Sequence, residues 1–258
     1  MKRIAPILIL FALGFSVSPA AAGPGNELAA RLDSVQQGTS FARLKLSVQD
    51  PPGTETVSRQ IQIKERRAGG TADVLYQVLY PREQKGQSVL LKQSGSGAPS
   101  GHHFVPPDKL EPLSGSGLGG AAFGSDLTYR DLIENFFAWQ DQSLVGQETV
   151  EGRECQILES KPAGGQSDYG SVRSWIDTGR LVPLRVEKYD RSGNIVRRID
   201  TTRVHKNDNG HHIPATIMVR RPGTTSITQL EGSRSKVNVT YSDADFTVPK
   251  MTDLSAPR

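Results

Sequence analysis

Short segments of alternating apolar and polar residues, separated by turn residues, recur along most of the chain. Leu44, Leu46 and Val48 alternate with polar neighbours, and Asp190-Arg191-Ser192-Gly193 has the composition of a hairpin turn. A period of two places one face of each strand in the core. The pattern therefore predicts a mainly β protein with an antiparallel sheet, arranged as a sandwich or barrel. The predicted strands include residues 74–80, 87–92, 102–105, 153–160, 171–177, 182–189, 195–204, 212–219, 225–230 and 236–241.

Two helices are predicted within this β pattern. The spacing of Leu28, Leu32 and Val35 indicates a short helix over 25–36. The second helix follows the glycine-rich stretch that begins at Ser114, with Thr128 as its N-cap. Its predicted apolar face consists of Tyr129, Leu132, Ile133, Phe136 and Phe137. Such a helix would either close the end of the sheet or act as a lid over a cavity, hinged on the preceding glycines.

The first 22 residues have the features of a secretory signal peptide. Lys2 and Arg3 precede an apolar run, and Ala20-Ala21-Ala22 predicts cleavage after Ala22. We therefore expect an exported chain with a single domain over residues 23–258. The formal net charge of +4 would fall to +2 with the loss of Lys2 and Arg3, which argues against a nucleic-acid partner. Cys155 is the only cysteine, so no intramolecular disulfide can form, and we expect a buried thiol.

The sequence offers little for catalysis, and we expect a protein that is not an enzyme. The Gly115-x-Gly117-x-x-Gly120 spelling does not follow an apolar strand of a βαβ unit, so it does not predict nucleotide binding. No G-x-S-x-G motif is present. The histidines lack the spacing of a metal site, and we expect no metal and no cofactor. They are His102, His103, His205, His211 and His212.

Several ordered motifs resemble those of one family of exported proteins. The most specific is Phe123-Gly124-Ser125-Asp126-Leu127-Thr128-Tyr129-Arg130-Asp131-Leu132. The others are Tyr80-Pro81, 84–91, Phe104-Val105-Pro106, 152–155, Trp175-Ile176-Asp177, 184–190 and Phe246-Thr247. Together they resemble the outer-membrane lipoprotein-sorting protein family, which is similar to the periplasmic lipoprotein carrier LolA.

The resemblance implies a curved, incompletely closed antiparallel half-barrel with a few short helices as a lid. It also implies a periplasmic carrier whose apolar cavity holds lipoprotein acyl chains or membrane lipids, and which exchanges them with inner- or outer-membrane transport proteins. The alternative is a non-catalytic interaction module of a cell-envelope or export-pump complex. For the carrier, the expected cavity and lid residues are Gly124, Ser125, Asp126, Tyr129, Leu132, Ile133, Phe136 and Phe137.

Overall fold

The computed structural model describes residues 23–95, 97–165 and 167–256. The predicted signal peptide lies outside the described residues. One helix, α1 (Pro24–Gln36), precedes all the strands. The strands are β1 (Gly38–Gln49), β2 (Glu55–Ala68), β3 (Thr71–Tyr80), β4 (Ser88–Gln93), β5 (Ser100–Val105), β6 (Lys109–Leu113), β7 (Asp141–Val150), β8 (Arg153–Lys161), β9 (Ser171–Asp177), β10 (Val182–Tyr189), β11 (Ile195–Lys206), β12 (His212–Arg220) and β13 (Ile227–Val237).

All of these strands form one antiparallel sheet with an open edge at each side. Their spatial order is β6-β5-β4-β3-β2-β1-β13-β12-β11-β10-β9-β8-β7. The first and last strands of the chain, β1 and β13, pair in the middle of the sheet, while β6 and β7 are its edges. The sheet is therefore not closed into a barrel, and the prediction of a mainly β, incompletely closed half-barrel is confirmed.

The strand predictions missed both edges and divided one strand in two. β6 contains Pro112 and β7 is mostly exposed, so neither shows the alternation of a half-buried strand. Residues 225–230 and 236–241 were predicted as separate strands, but β13 runs continuously over Ile227–Val237. A register shift between Arg43 and Leu44 of the partner strand β1 accommodates this irregular sequence.

The prediction of α1 is confirmed, and its packing defines the inner face of the sheet. Leu28, Ala29 and Leu32 of α1 pack against Leu158 of β8 and Ile176 of β9. Residues 114–139, called the crossing segment below, cover the other half of the same face. No helix in the described part of the chain is long and apolar enough to cross a membrane.

The predicted helix in the crossing segment is wrong. The reciprocal bonds of the capping motif do form, from Thr128 N to Asp131 Oδ2 (2.8 Å) and from Asp131 N to Thr128 Oγ1 (3.2 Å). The chain nevertheless makes only short 3-10 turns, at Arg130–Leu132 and Phe136–Ala138. Asn135 is extended between them, and its side chain accepts a hydrogen bond from Phe137 N at 3.2 Å.

Tertiary hydrogen bonds compete for the carbonyl groups that a helix would use. Gln142 Nε2 donates to the carbonyl oxygens of Phe136 and Trp139, both at 2.9 Å. Arg67 Nη1 donates to Ile133 O at 3.0 Å, and Tyr76 OH donates to Leu132 O at 2.7 Å. Because a short isolated helix is marginal in water, these contacts decide the conformation.

The outer face of the sheet is covered by the C-terminal residues. Phe246 and Met251 pack against Leu75 and Leu90, which point away from the inner face. The buried amide of Gln77 donates to Met251 O and Asp253 O, both at 2.9 Å. These contacts hold the C-terminal 3-10 turns Asp243–Phe246 and Val248–Thr252 against β3 and β4.

Candidate ligand-binding hollow

Gly124, Ser125 and Asp126, predicted to shape a cavity entrance, form an anchored turn. Gly124 has φ 66°, a conformation that favours glycine. Ser125 Oγ donates to Ala122 O at 2.6 Å and accepts from Leu127 N at 3.2 Å. The turn is therefore held by its own hydrogen bonds.

Asp126 fixes this turn to the middle of the sheet. Its side chain accepts hydrogen bonds from Thr228 Oγ1 of β13 at 2.8 Å and from Ser226 Oγ at 2.7 Å. Arg221 Nε lies 3.2 Å from the same carboxylate. Asp126 is only 4% exposed, so these partners replace the water that the carboxylate loses on burial.

The five predicted lid residues do not share one face. Tyr129, Leu132 and Ile133 pack into the core formed with β1 to β4. Phe136 and Phe137 pack instead beside α1, with ring centroids 4.5 Å apart. The extended backbone at Asn135 separates the two groups. Of the five, only Phe137 lines the cavity at the end of α1 that is described below.

A buried ionic cluster beneath the crossing segment was missed by the sequence analysis. Asp131 Oδ1 lies 2.6 Å from Lys188 Nζ, and Asp131 Oδ2 lies 2.8 Å from Arg197 Nη1. Tyr169 OH donates to Asp131 Oδ1 at 2.7 Å, and Glu134 Oε2 lies 3.6 Å from Lys188 Nζ. The side chains of Asp131, Lys188 and Arg197 are 1%, 3% and 6% exposed. The cluster therefore fastens the crossing segment to β10 and β11.

The pKa values of the two acidic groups of this cluster are shifted in opposite directions. Burial opposes ionisation of Asp131, but Lys188 and Arg197 outweigh it and hold the pKa of Asp131 well below its ordinary value. Burial raises the pKa of Glu134, and Lys188 offsets this effect only in part. A sequence signal existed: Lys188 continues the alternating positions Leu184 and Val186 of an otherwise apolar strand face.

A cavity of about 430 Å³ lies at the end of the half-barrel where α1 finishes and β1 begins. Its apolar wall includes Leu32, Phe137 and Val182. The hairpin between β11 and β12 forms the opposite side, and polar residues such as Asn207 and His211 line this rim. A volume of this size is within the range of small-molecule sites.

A second cavity, of about 190 Å³, lies next to the first, on the side toward the centre of the sheet. Its innermost wall includes the partly exposed Leu44, Ile217 and Leu230. Leu44 shares a strand face with Leu46, which is buried in the core under the crossing segment, so this cavity lies on the inner face. The two cavities share Ala42, Ile213, Pro214 and Ser235 as wall residues. They are called the apolar hollow below.

The histidines and the cysteine do not assemble into a reactive site. Among the residues that the structure describes, no group of three or more His, Cys, Asp or Glu side chains could hold a metal ion. The His103 ring packs 5.6 Å from the Tyr129 ring, and its Nε2 lies 3.0 Å from the Gln87 amide. Cys155 is buried and unpaired, and burial raises the pKa of its thiol.

An open antiparallel half-barrel with an apolar hollow on its inner face defines the class of LolA-like folds. A family model described as "uncharacterized protein" matches residues 70–253, and the chain belongs to the family of that model. No curated protein matches the chain.

Three solved structures share this fold over 88% of the chain. A DUF1329 family protein from Desulfovibrio piger is 25% identical, with a TM-score of 0.80 over 97% of its own length. An outer membrane lipoprotein-sorting protein domain from Vibrio parahaemolyticus is 21% identical, with a TM-score of 0.79 over 98%. A LolA superfamily protein from Nitrosomonas europaea is 18% identical, with a TM-score of 0.72 over 99%. These likenesses establish the fold.

Proposed function

We propose that the protein is a periplasmic carrier that holds the acyl chains of a lipid or lipoprotein in the apolar hollow. The observation that carries this proposal is that two cavities on the inner face, of about 430 and 190 Å³, share the wall residues Ala42 and Ile213. Burying a methylene contributes about 0.8 kcal/mol, so about eight methylenes contribute roughly 6 kcal/mol before the costs of association are subtracted. A hydrocarbon chain therefore binds such a hollow without a specific hydrogen bond.

Two further observations support carriage in the periplasm. The sequence of residues 1–22 favours export. One solved structure with this fold is named as a lipoprotein-sorting protein domain, although its sequence is only 21% identical. The alternative function is an interaction module in which packed side chains fill the inner face of the sheet. It would require no such hollow.

In this proposal the ligand does not enter the hollow beneath a hinged lid. The crossing segment is tied to β13 through Asp126 and to β10 through Asp131, so its displacement would expose buried charges. The end of α1 and the hairpin between β11 and β12 frame the hollow without such a cluster. We place chain entry there, with Phe137 in contact with the chain. Tyr129, Leu132, Ile133 and Phe136 do not line the hollow and have no ligand contact in this proposal.

Native mass spectrometry of protein purified from the periplasm tests this function directly. We expect wild-type protein to retain lipid, and an Ala42→Trp variant to lose most of it, because the indole would occupy the junction of the two cavities. Ala244→Trp, at an exposed position, is the matched control and should retain lipid. A wild-type protein that carries no lipid and binds no fluorescent fatty acid would rule out carriage and favour the interaction module.

A further inference from the structure

A cavity of about 330 Å³ lies beside the apolar hollow, at the same end of the half-barrel. Part of its wall is apolar and includes Ala72, Ala138 and Trp139, and polar side chains cluster on the remainder, so it is called the polar cavity below. Gln37, directly after α1, lines both spaces. The side chains that matter for its chemistry are Asp33, Gln37, Arg67, Gln93, Asn135 and Gln140. An amphiphile with its chain in the hollow would therefore have this polar cavity within reach of its head group.

The hydrogen bonds of the polar cavity prearrange both donors and acceptors. Asp33 Oδ1 accepts from Asn135 Nδ2 at 2.6 Å and from Gln37 Nε2 at 2.8 Å, which fixes the orientation of both amides. Gln37 Oε1 is then available as an acceptor. Gln140, on the crossing segment side, is exposed and contributes a further amide.

A buried arginine supplies the strongest donor of this cavity. The Arg67 side chain is 10% exposed, with Nε 2.6 Å from Glu65 Oε1 and Nη1 3.0 Å from Ile133 O. Within the described residues, these contacts use Nε and Nη1, so Nη2 is the guanidinium nitrogen that remains to donate to a ligand. Glu65 pairs with the Arg67 charge from outside the cavity, so Asp33 is the charged side chain of the lining that has no ion pair among the described residues. Phosphate and carboxylate head groups are therefore disfavoured.

The geometry points to an uncharged, hydroxyl-rich head group as the occupant of the polar cavity, on the same ligand whose chain fills the apolar hollow. Hydroxyl groups both donate and accept, which matches a wall of amides, a carboxylate and a guanidinium. The volume lies near the lower end of small-molecule sites and suits a glycerol unit or a single sugar ring. This assignment rests on the proposed function.

Four amphiphiles with ten-carbon chains test the assignment: decyl glucoside, decyl phosphate, decanoyl glycinamide and decan-1-ol. Isothermal titration calorimetry at pH 7.5, below the critical micelle concentrations, gives their affinities for the full chain. We expect the glucoside to bind about tenfold more tightly than the phosphate, because only the phosphate adds a second negative charge beside Asp33.

Variants separate the head-group contacts from the chain contacts. Gln93→Ala/Gln140→Ala should weaken glucoside binding about fivefold and leave decan-1-ol within twofold. Gln147→Ala, exposed on the edge strand β7, is the control and should change neither. Asp33→Asn should raise the affinity for decyl phosphate about fivefold.

The outcomes distinguish this assignment from the carrier function. Equal affinities for glucoside and phosphate, or equal losses of glucoside and decan-1-ol in the double variant, would overturn the head-group assignment while chain binding stands. Glycinamide binding as tight as glucoside binding would also overturn it, since the cavity would then accept any amide. If none of the four binds, the carrier function and this assignment fail together.

Discussion

Replacing Asp131 by asparagine should destabilise the protein strongly, because it leaves two buried cations without their shared anion. The change removes the charge partner of Lys188 and Arg197, whose side chains are 3% and 6% exposed. Among the described residues, the acidic partner that Lys188 keeps is Glu134, at 3.6 Å. Breaking a buried ion pair on one side costs about 3–5 kcal/mol. For a chain of this size, that corresponds to a fall in Tm of about 10 °C.

The pH dependence of this effect follows from the direction of the pKa shift. The pKa of Asp131 is held below its ordinary value, so its ion pairs stabilise the fold at every pH above the ordinary value of about 3.9. That contribution is lost only as the pH falls through the depressed pKa. The difference between wild type and Asp131→Asn should therefore be constant from pH 7 to about pH 5 and shrink in stronger acid.

Glu134→Gln is a matched control within the same cluster. Because burial raises the pKa of Glu134, this group favours the fold at low pH, and its contribution is lost as the pH rises through the raised pKa. Its replacement at pH 7 should change the free energy of unfolding by less than about 1 kcal/mol. Urea unfolding followed by circular dichroism, at pH 7 and pH 5, measures both variants.

The double variant Asp131→Asn/Lys188→Met completes the test. Removing the uncompensated cation together with the anion should recover about 1–2 kcal/mol of the loss. A loss below about 1 kcal/mol in Asp131→Asn, or strict additivity in the double variant, would refute the view that this cluster anchors the crossing segment.

Three other changes test the packing of the fold. Gly25→Ala should lower Tm by several degrees, because a Cβ there would meet Gln142 O at 2.6 Å. In the control Gly23→Ala, the added Cβ meets nothing within 4 Å and Tm should not change; thermal melting compares the two variants. Gln77→Leu should cost about 1–3 kcal/mol and expose the C-terminal turns to limited proteolysis, since the carbonyls of Met251 and Asp253 lose their donor; an unchanged cleavage rate would contradict this role. Cys155 should react slowly with Ellman's reagent at pH 8 until the protein is unfolded in urea, because its thiol is buried and its pKa is raised; rapid labelling of folded protein would contradict its burial.

Most of the sheet could be predicted because alternation is a local signal. Leu44 and Leu46 face the inner side in the structure as their spacing indicates. The edge strand β7 has no such alternation. Most of its residues, such as Gln147, are exposed to solvent, so neither face of the strand needs to be apolar. The family motifs added the open half-barrel, which local periodicity does not distinguish from a sandwich.

The crossing segment shows where local reasoning stops. Thr128 and Asp131 form the hydrogen bonds of a helix cap, but the helix predicted after Thr128 is not formed. The Asp131 carboxylate is bound by Lys188 and Arg197. These partners lie more than 50 positions away in the sequence, so no window around Asp131 contains them.

The sequence by itself determined which residues form strands, where most turns fall and which side of each strand is apolar, since these depend on neighbours one or two positions away. Only the tertiary structure decided the conformation of the crossing segment and the position of the apolar hollow. A cavity exists where side chains from distant strands, such as Leu44 and Ile217, leave space between them. That space depends on how β1, β12 and α1 are arranged around it, and this arrangement is a property of the assembled sheet.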